Sequence, residues 1–524
     1  MPTRFRGLLP FALAVGGAAA LAAQAPRSSA PWFGLALPPG IGDPHRPVVN
    51  VATVTTPPAR VPAGEEGFTE LKGDRIRRDV ETIVGFSKQS RAAGDQAWGR
   101  VTGFPAAART MAWVAEQFKE AGVSGVEVQE YDASAPMWWS RSWEARLVGD
   151  AKFGAGSRDV VLESAVPTSG SLIPSGSSGG TLGTLSAPIV YVGPASNEAL
   201  PDVDVKGKVA VQHLKPASGA YSERGATVRR AQELMKRGAV AVINVVEQVG
   251  NMHVRDFGNC GGPCFNLGGA DGAFVEAAIE RAARAGVSDA LRVQLRLEAQ
   301  TMAGLKGHNA IGVIPGKQVE SEEVIIVNAH ADGWFDAAGD NGDGLAVLVA
   351  LARHFSKPQN RLERTLMFVS SGGHHSTGLN GPANVVRMNP GLTGKALLVL
   401  NLEHIAQLYI RPEPWRVEPT EQPMGFGISN EAPFLKALAT RGVERYGFRL
   451  NPTFSSGVPG DLGGYAPLGV ARVQAIHSGP MYHTSGDVAE TISAPGLERA
   501  ARFYAYFVGE VSKASKVDLN PPKP

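Results

Sequence analysis

Several apolar runs of this 524-residue chain lead into imidazoles and carboxylates, the side chains that hold metal cations or move protons near neutral pH. VIIVNA leads into His330-Ala331-Asp332, TLMFVSSGG into His374-His375, and ALLVLNL into Glu403-His404, while ARVQAI is followed by Tyr482-His483-Thr484 with Asp487 nearby. Between the first two runs lies Asp340-Asn341-Gly342-Asp343-Gly344, a loop with no apolar residue to bury. Neutral imidazoles and carboxylates suit zinc, and a carboxylate is the natural bridge between two cations a few ångströms apart. Taken singly, a His or Asp after a strand is an ordinary turn residue, and DNGDG lacks the closing glutamate of a calcium loop. Their recurrence after four strands points to one metal site. Of the 11 histidines, seven (His330, His354, His374, His375, His404, His477 and His483) fall between residues 330 and 483.

Ligands gathered from four strands require a sheet that brings those strand ends together. VIIVNA, TLMFVS, ALLVLNL and ARVQAI are continuous apolar runs of the kind buried on both faces. Leu345, Leu348, Val349, Ala352 and Phe355 form a helical stripe after the first, and a last helix from Ala494 carries Leu497, Ala500, Ala501, Tyr504 and Val508 on one face. The expected fold is α/β, a mixed central sheet with helices on both faces, with ligands beyond the strand C-termini. Upstream, Pro105 opens a helix whose Met111, Val114, Ala115 and Phe118 face inward, and VEVQEYDA and SWEARLVG read as strands. The Ser- and Gly-rich stretch Ser169–Gly183 marks a boundary into an inserted β-rich module, in which a Lys-Gly-Lys strand is followed by the helix ATVRRAQELMKRG and the strand AVAVINVV. Residues 26–68 are Pro-rich and aperiodic and read as an arm or linker, with ordered structure beginning near Thr69.

HAD followed by DNGDG, then GLNG, NLEH and YHTSGD, resembles the co-catalytic zinc exopeptidases of metallopeptidase family twenty-eight (clan MH), of the aminopeptidase and glutamate carboxypeptidase type. The order of elements in the insert resembles a protease-associated domain. The resemblance implies a peptidase domain in two parts, 69–175 and 308–513, around an insert at 176–307, with a tail at 514–524. It implies two zinc ions, the first held by His330, Asp340 and Glu403, with Glu403 where many members carry Asp, and the second by Asp340 and His483. Asp332 would orient His330, a role also demanded physically, since a ligand imidazole needs its other nitrogen fixed. The chain departs from the family at one place. Members present two consecutive Glu residues before Gly-Leu, the first a general base and the second a ligand. Here the stretch is SSGGHHSTGLNG, with no acid between Glu363 and Glu403. An ungapped alignment puts His375 on the base and Ser376 on the ligand; a one-residue insertion puts His374 on the base and His375 on the ligand. The second is preferred, because imidazole ligates zinc and serine does so poorly, and His374 would serve as a base near neutral pH.

Lys plus Arg number 51 against 49 for Asp plus Glu, a formal charge of +2, which gives no basis for a nucleic-acid surface. Arg4 and Arg6 ahead of the uncharged run Gly7–Ala23 have the layout of a secretory signal, taken as residues 1–25. The mature protein is therefore expected to be secreted or periplasmic, with no transmembrane segment. Cys260 and Cys264 could close a small loop or stay as buried thiols. The expected function is hydrolysis of a terminal peptide bond, with a peptide or N-terminal aminoacyl substrate and an aminopeptidase as first choice. The rival expectation is a catalytically impaired, peptidase-like binding protein that lacks the Glu base.

Overall fold

The structure is a computed structural model and describes residues 30–42, 49–174, 182–195, 200–214, 221–255, 259–317, 323–412, 415–477 and 479–522. The signal segment 1–25 lies outside the described residues. Two eight-stranded sheets carry the fold. The first runs in the order Ser124–Asp132, Lys306–Ile314, Thr365–Ser371, Val324–His330, Ala396–Leu402, Ala471–Ile476, Met424–Ile428, Leu450–Ser455. Its four central strands, Thr365–Ser371 to Ala471–Ile476, are parallel, and antiparallel strands flank them on both sides. The apolar runs form these strands because both faces are covered: all seven residues of Val324–His330 are buried. The helices Gly73–Ala92, Pro105–Glu120, Asp343–Phe355, Pro433–Tyr446 and Ala494–Val511 pack one face. Gly381–Met388 and the short turns around Leu462 and Tyr465 cover the other. The expected mixed α/β sheet with helices on both faces is the observed one.

The Val324–His330 strand has its successor Thr365–Ser371 on one side and Ala396–Leu402 on the other. The winding therefore reverses at this strand, and such a reversal opens a crevice at the C-terminal ends. Just below that crevice a polar layer crosses the buried sheet. Asn328 and Asn401 stand opposite each other, Asn401 stands opposite Gln474, and their amides are hydrogen-bonded in series, with Asn328 Nδ2 2.8 Å from Asn401 Oδ1 and Asn401 Nδ2 3.1 Å from Gln474 Oε1.

The second sheet runs Val160–Val161, Met137–Leu147, Arg292–Met302, Leu182–Pro194, Val209–Leu214, Ala241–Val246, Cys264–Leu267, Val166–Pro167, with helices Tyr221–Lys236 and Gly269–Arg284 against it. It draws strands from Met137 onward, so the change of sheet precedes the Ser- and Gly-rich stretch, because Met137–Leu147 pairs along its length with Arg292–Met302. Cys260 and Cys264 are joined as a disulfide. Order begins well before Thr69: Trp32 is 2% exposed, packs on Phe153 and Phe274, and donates from Nε1 to the Arg158 carbonyl at 3.0 Å. Residues 30–42 are thus fastened to the second sheet's core through Trp32, while further along Glu65 accepts from Arg445 and Tyr446 of the helix Pro433–Tyr446. At the other end of the chain, Asn520 bonds to Leu397 and Ala471 of the central sheet, so the residues after 513 cap it. Among the described residues no helix is long and apolar enough to cross a membrane.

The two sheets meet beside the crevice. Val254 bridges Thr484 in antiparallel fashion, Arg255 N donates to the His483 carbonyl at 3.0 Å, and Ser485 N donates to the His253 carbonyl at 3.0 Å. His253 N donates to Ser485 Oγ at 3.0 Å, and Gln248 Nε2 to the Pro480 carbonyl at 2.7 Å.

Candidate metal centre

His330 ends its strand with its side chain fully buried, and its Nδ1 faces the Asp332 carbonyl at 3.0 Å, which leaves Nε2 for the crevice. Asp332 thus faces the Nδ1 of His330 with its backbone carbonyl, while its carboxylate Oδ1 lies 3.7 Å from the same nitrogen. Its carboxylate does something else: Oδ1 and Oδ2 accept the backbone N–H groups of His374 and His375 at 3.2 and 3.0 Å, fixing the loop that carries both imidazoles. Buried Arg100 donates to the carbonyls of Ala331, Asp336 and Ala337 and holds the turn beyond Asp332.

The DNGDG loop is used almost residue by residue. Asp487 accepts from Gly339 N at 2.8 Å and Asp340 N at 3.0 Å, so the backbone of Asp340 is held from the far side. Asn341 donates to the Leu402 carbonyl at 2.8 Å, and Asp343 accepts from Ile405 N and Ala406 N at 3.0 and 2.7 Å. Burial pushes the Asp343 carboxyl up to about 8 and that of Asp487 up to about 7.

Asp340 is the hub. Its Oδ1 lies 3.3 Å from His330 Nε2 and 2.9 Å from His404 Nε2; its Oδ2 lies 3.3 Å from His375 Nε2 and 3.0 Å from His483 Nε2. Glu403 Oε1 stands 3.8 Å from each of His330, His374 and His404. Burial pushes the Asp340 carboxyl up, but the facing imidazoles of His375 and His404 outweigh it and hold it well below the usual carboxylate range. Burial takes His375 down to about 4, whereas Asp340 overcomes burial at His404 and lifts it to about 10. Nε2 of His330, His375 and His404 and both oxygens of Asp340 are buried without a hydrogen-bond partner. Several such atoms converging on one point would each cost about 1–3 kcal/mol if nothing joined them. Donors about 2.0–2.1 Å from a tetrahedral zinc stand about 3.3 Å from one another, close to the separations found here. The residues fit a zinc site. Residues 309–508 match the sequence profile of Peptidase family M28.

That stretch, 200 of the 524 residues, is similar to the family. The fold is similar to that of a zinc aminopeptidase from Bacillus subtilis, with a TM-score of 0.57 and 19% identity over 86% of this chain and 98% of that one. It is likewise similar to a Peptidase M28 precursor from Shewanella amazonensis, with a TM-score of 0.60 and 17% identity over 86% of this chain and all of that one. A curated relative, a probable glutamate carboxypeptidase from Arthroderma benhamiae, is 31% identical over 99 residues, a stretch that covers 18% of this chain and 13% of the relative.

The fold brings together all seven residues singled out by sequence: His330, Asp332, Asp340, His374, His375, Glu403 and His483. It adds two. His404, which matches no ligand position in the family pattern, turns its Nε2 onto Asp340, while its Nδ1 faces the His477 carbonyl. Asp461, in the turn Gly460–Gly463, accepts from Ser371 Oγ at 2.6 Å and Asn328 Nδ2 at 2.9 Å, and its Oδ1 lies 2.8 Å from His374 Nδ1. Burial pushes Asp461 up, but His374 draws it well below the usual carboxylate range; for His374 the order is reversed, with Glu403 and Asp461 overriding burial and holding the imidazole well above its ordinary value. His374 is stacked on His330 at 4.0 Å between ring centres and keeps 12% of its side chain exposed, against 4% for His375. His354 lies outside the cluster, paired with Glu70.

Proposed function

We propose that this protein is an exported zinc-dependent exopeptidase, an aminopeptidase by first choice, in which Asp340 bridges two ions. The observation that carries the reading is the division of labour at Asp340, whose two oxygens face two different sets of imidazoles. His330, Asp340 and Glu403 would hold one ion, and Asp340, His375 and His483 the other. When bound, the pair supplies an acidified water and a polarised scissile carbonyl. The chain's own part in moving protons falls to His374. Asp461 takes the hydrogen of Nδ1, so that Nε2 is the atom left to accept a proton and return it to the leaving amine. With cations held between them, Glu403 and Asp340 would pull less strongly on the proton of this imidazole. His375 lies deeper than His374, which supports ligand and base roles in the order of the preferred alignment. The Arg4, Arg6 and Gly7–Ala23 layout supports export.

Elemental analysis of the purified protein, coupled to hydrolysis of aminoacyl and N-blocked peptide substrates, tests the proposal. Two zincs per chain are expected, with chelator-sensitive turnover on substrates that have a free amine. A protein that carries no zinc and releases no amino acid would overturn it. The second reading, a binding protein on a peptidase scaffold, draws support from the missing acid between Glu363 and Glu403 and requires bound metal without turnover.

A further inference from the structure

The two sides of Asp340 are not equal. On the Oδ1 side, His404 joins His330 and Glu403, and the donor atoms of these three residues lie within 4.8 Å of one another. On the Oδ2 side the corresponding group is His375 and His483. We propose that His404 is a fourth protein ligand of the first ion, which makes that half-site closed, while the second half-site has three protein ligands and keeps the open position for water and substrate. The inference rests on the zinc reading above and goes beyond it in assigning a residue that the family pattern leaves out.

The geometry around His404 is that of a prepared ligand. Its side chain is 4% exposed, and its Nε2 lies 2.9 Å from Asp340 Oδ1 and 3.8 Å from Glu403 Oε1 without a hydrogen-bond partner. Its Nδ1 is directed at the His477 backbone carbonyl. A carbonyl on one ring nitrogen places the hydrogen there and leaves the lone pair of the other for a cation, the usual arrangement behind a metal-bound histidine. The backbone is also built for this orientation. His404 sits at φ +52, a left-handed conformation that a non-glycine residue adopts only at a cost. It is held there by its own N–H on Asn341 Oδ1 and by the next two N–H groups on Asp343. Strain of this kind persists only where the surroundings over-determine it. Here the turn carries the chain beyond Glu403 so that two adjacent side chains, Glu403 and His404, both reach the same point. Four protein donors characterise closed zinc sites, and three with a vacant position characterise catalytic ones.

The test is zinc titration of the metal-stripped full-length protein against a competing chelator, followed by the visible spectrum of the protein loaded with cobalt(II). Wild type is expected to take up two zincs with separate affinities. His404→Ala should weaken the tighter event by about 10²-fold or more and leave the looser one in place, and the cobalt spectrum of the tighter site should lose tetrahedral intensity. His404→Asn serves as the companion, because Asn tolerates a left-handed backbone and keeps the turn while removing the imidazole; it should reproduce the same loss. Two zincs in wild type with unchanged affinities in both folded variants would overturn the inference alone and leave His404 as an ion-pair partner of Asp340. A wild type that binds no zinc would overturn the underlying reading as well.

Discussion

Asp461→Asn is the most informative single change, because it alters one hydrogen in a buried network and leaves every proposed metal donor in place. The carboxylate takes three contacts: Ser371 Oγ and Asn328 Nδ2 on one oxygen, and His374 Nδ1 facing the other. Asn328 cannot turn its amide to accommodate a new donor, since its Nδ2 also donates to Asn401 Oδ1 and its own Oδ1 accepts from Tyr465. The asparagine oxygen must therefore take the Ser371 and Asn328 side, and its NH₂ must face His374. That forces the imidazole into the other tautomer, with hydrogen on Nε2 and no lone pair there to accept a proton. Ser371, Asn328 and His374 keep partners, and the stability cost should be about 1.5–3 kcal/mol, the scale of a hydrogen bond made to a charged group. The rate should fall by about 10²- to 10⁴-fold, the range for losing a positioned base and for a carboxylate-to-amide change behind a catalytic histidine. The assay is kcat and KM for an aminoacyl substrate across pH, with zinc content measured on the same samples. The expected outcome is a fall in kcat with KM and both zincs retained, and a double variant with His374→Ala no slower than His374→Ala alone. Additive losses in the double variant, or loss of zinc as the first effect, would refute the argument.

Two further outcomes follow from groups outside the site. Glu70 is buried against His354 and Lys357, and although burial pushes its carboxyl up, those partners bring it down to about 2. With an unfolded value near 4.3, its ~3 kcal/mol of stabilisation is complete above that pH and is lost as the pH falls from there through about 2. Urea unfolding of Glu70→Gln should accordingly show a flatter acid limb than wild type, and parallel limbs would count against the pairing. Trp32→Ala should cost roughly 3–5 kcal/mol, the range for emptying a buried aromatic site, with the loss seen as a lower urea midpoint; an unchanged midpoint would restore the reading of this segment as a loose tether.

Much of the centre could be read from the chain because its ligands follow strands that the sequence spells as apolar runs, and a parallel sheet leaves such strand ends little choice of neighbours. What could not be read belongs to backbone geometry and to buried polar pairing. Asp461 sits in GDLGG, which has the composition of any turn, and only the fold brings it under His374. The residue pair Asn328 and Asn401 carries a signal that could have been used: each is a polar residue inside an otherwise apolar strand, and such residues have to find partners. Asp332 lies two residues after His330, but sequence spacing says nothing about whether its backbone carbonyl or its carboxylate faces the imidazole. The anchoring of the arm could not be read from the chain, because one tryptophan in a Pro-rich stretch carries no periodicity, although burying it supplies enough apolar area to fix the segment.

The pairing of Val254 with Thr484 ties the second sheet to the loop that carries His483. His483 lies at φ +56, another left-handed non-glycine position, and its carbonyl is held by an N–H from the neighbouring sheet. If His483 holds an ion as proposed, ion binding and the seating of this loop on the second sheet are linked, and each changes the other by the same factor. A chelator added at the crevice should be felt as faster amide exchange along residues 248–255. Conversely, if His483 holds an ion as proposed, a cut or loosened strand in the second sheet should be felt as a weaker hold on it, because the loop that carries His483 is seated against residues 253–255.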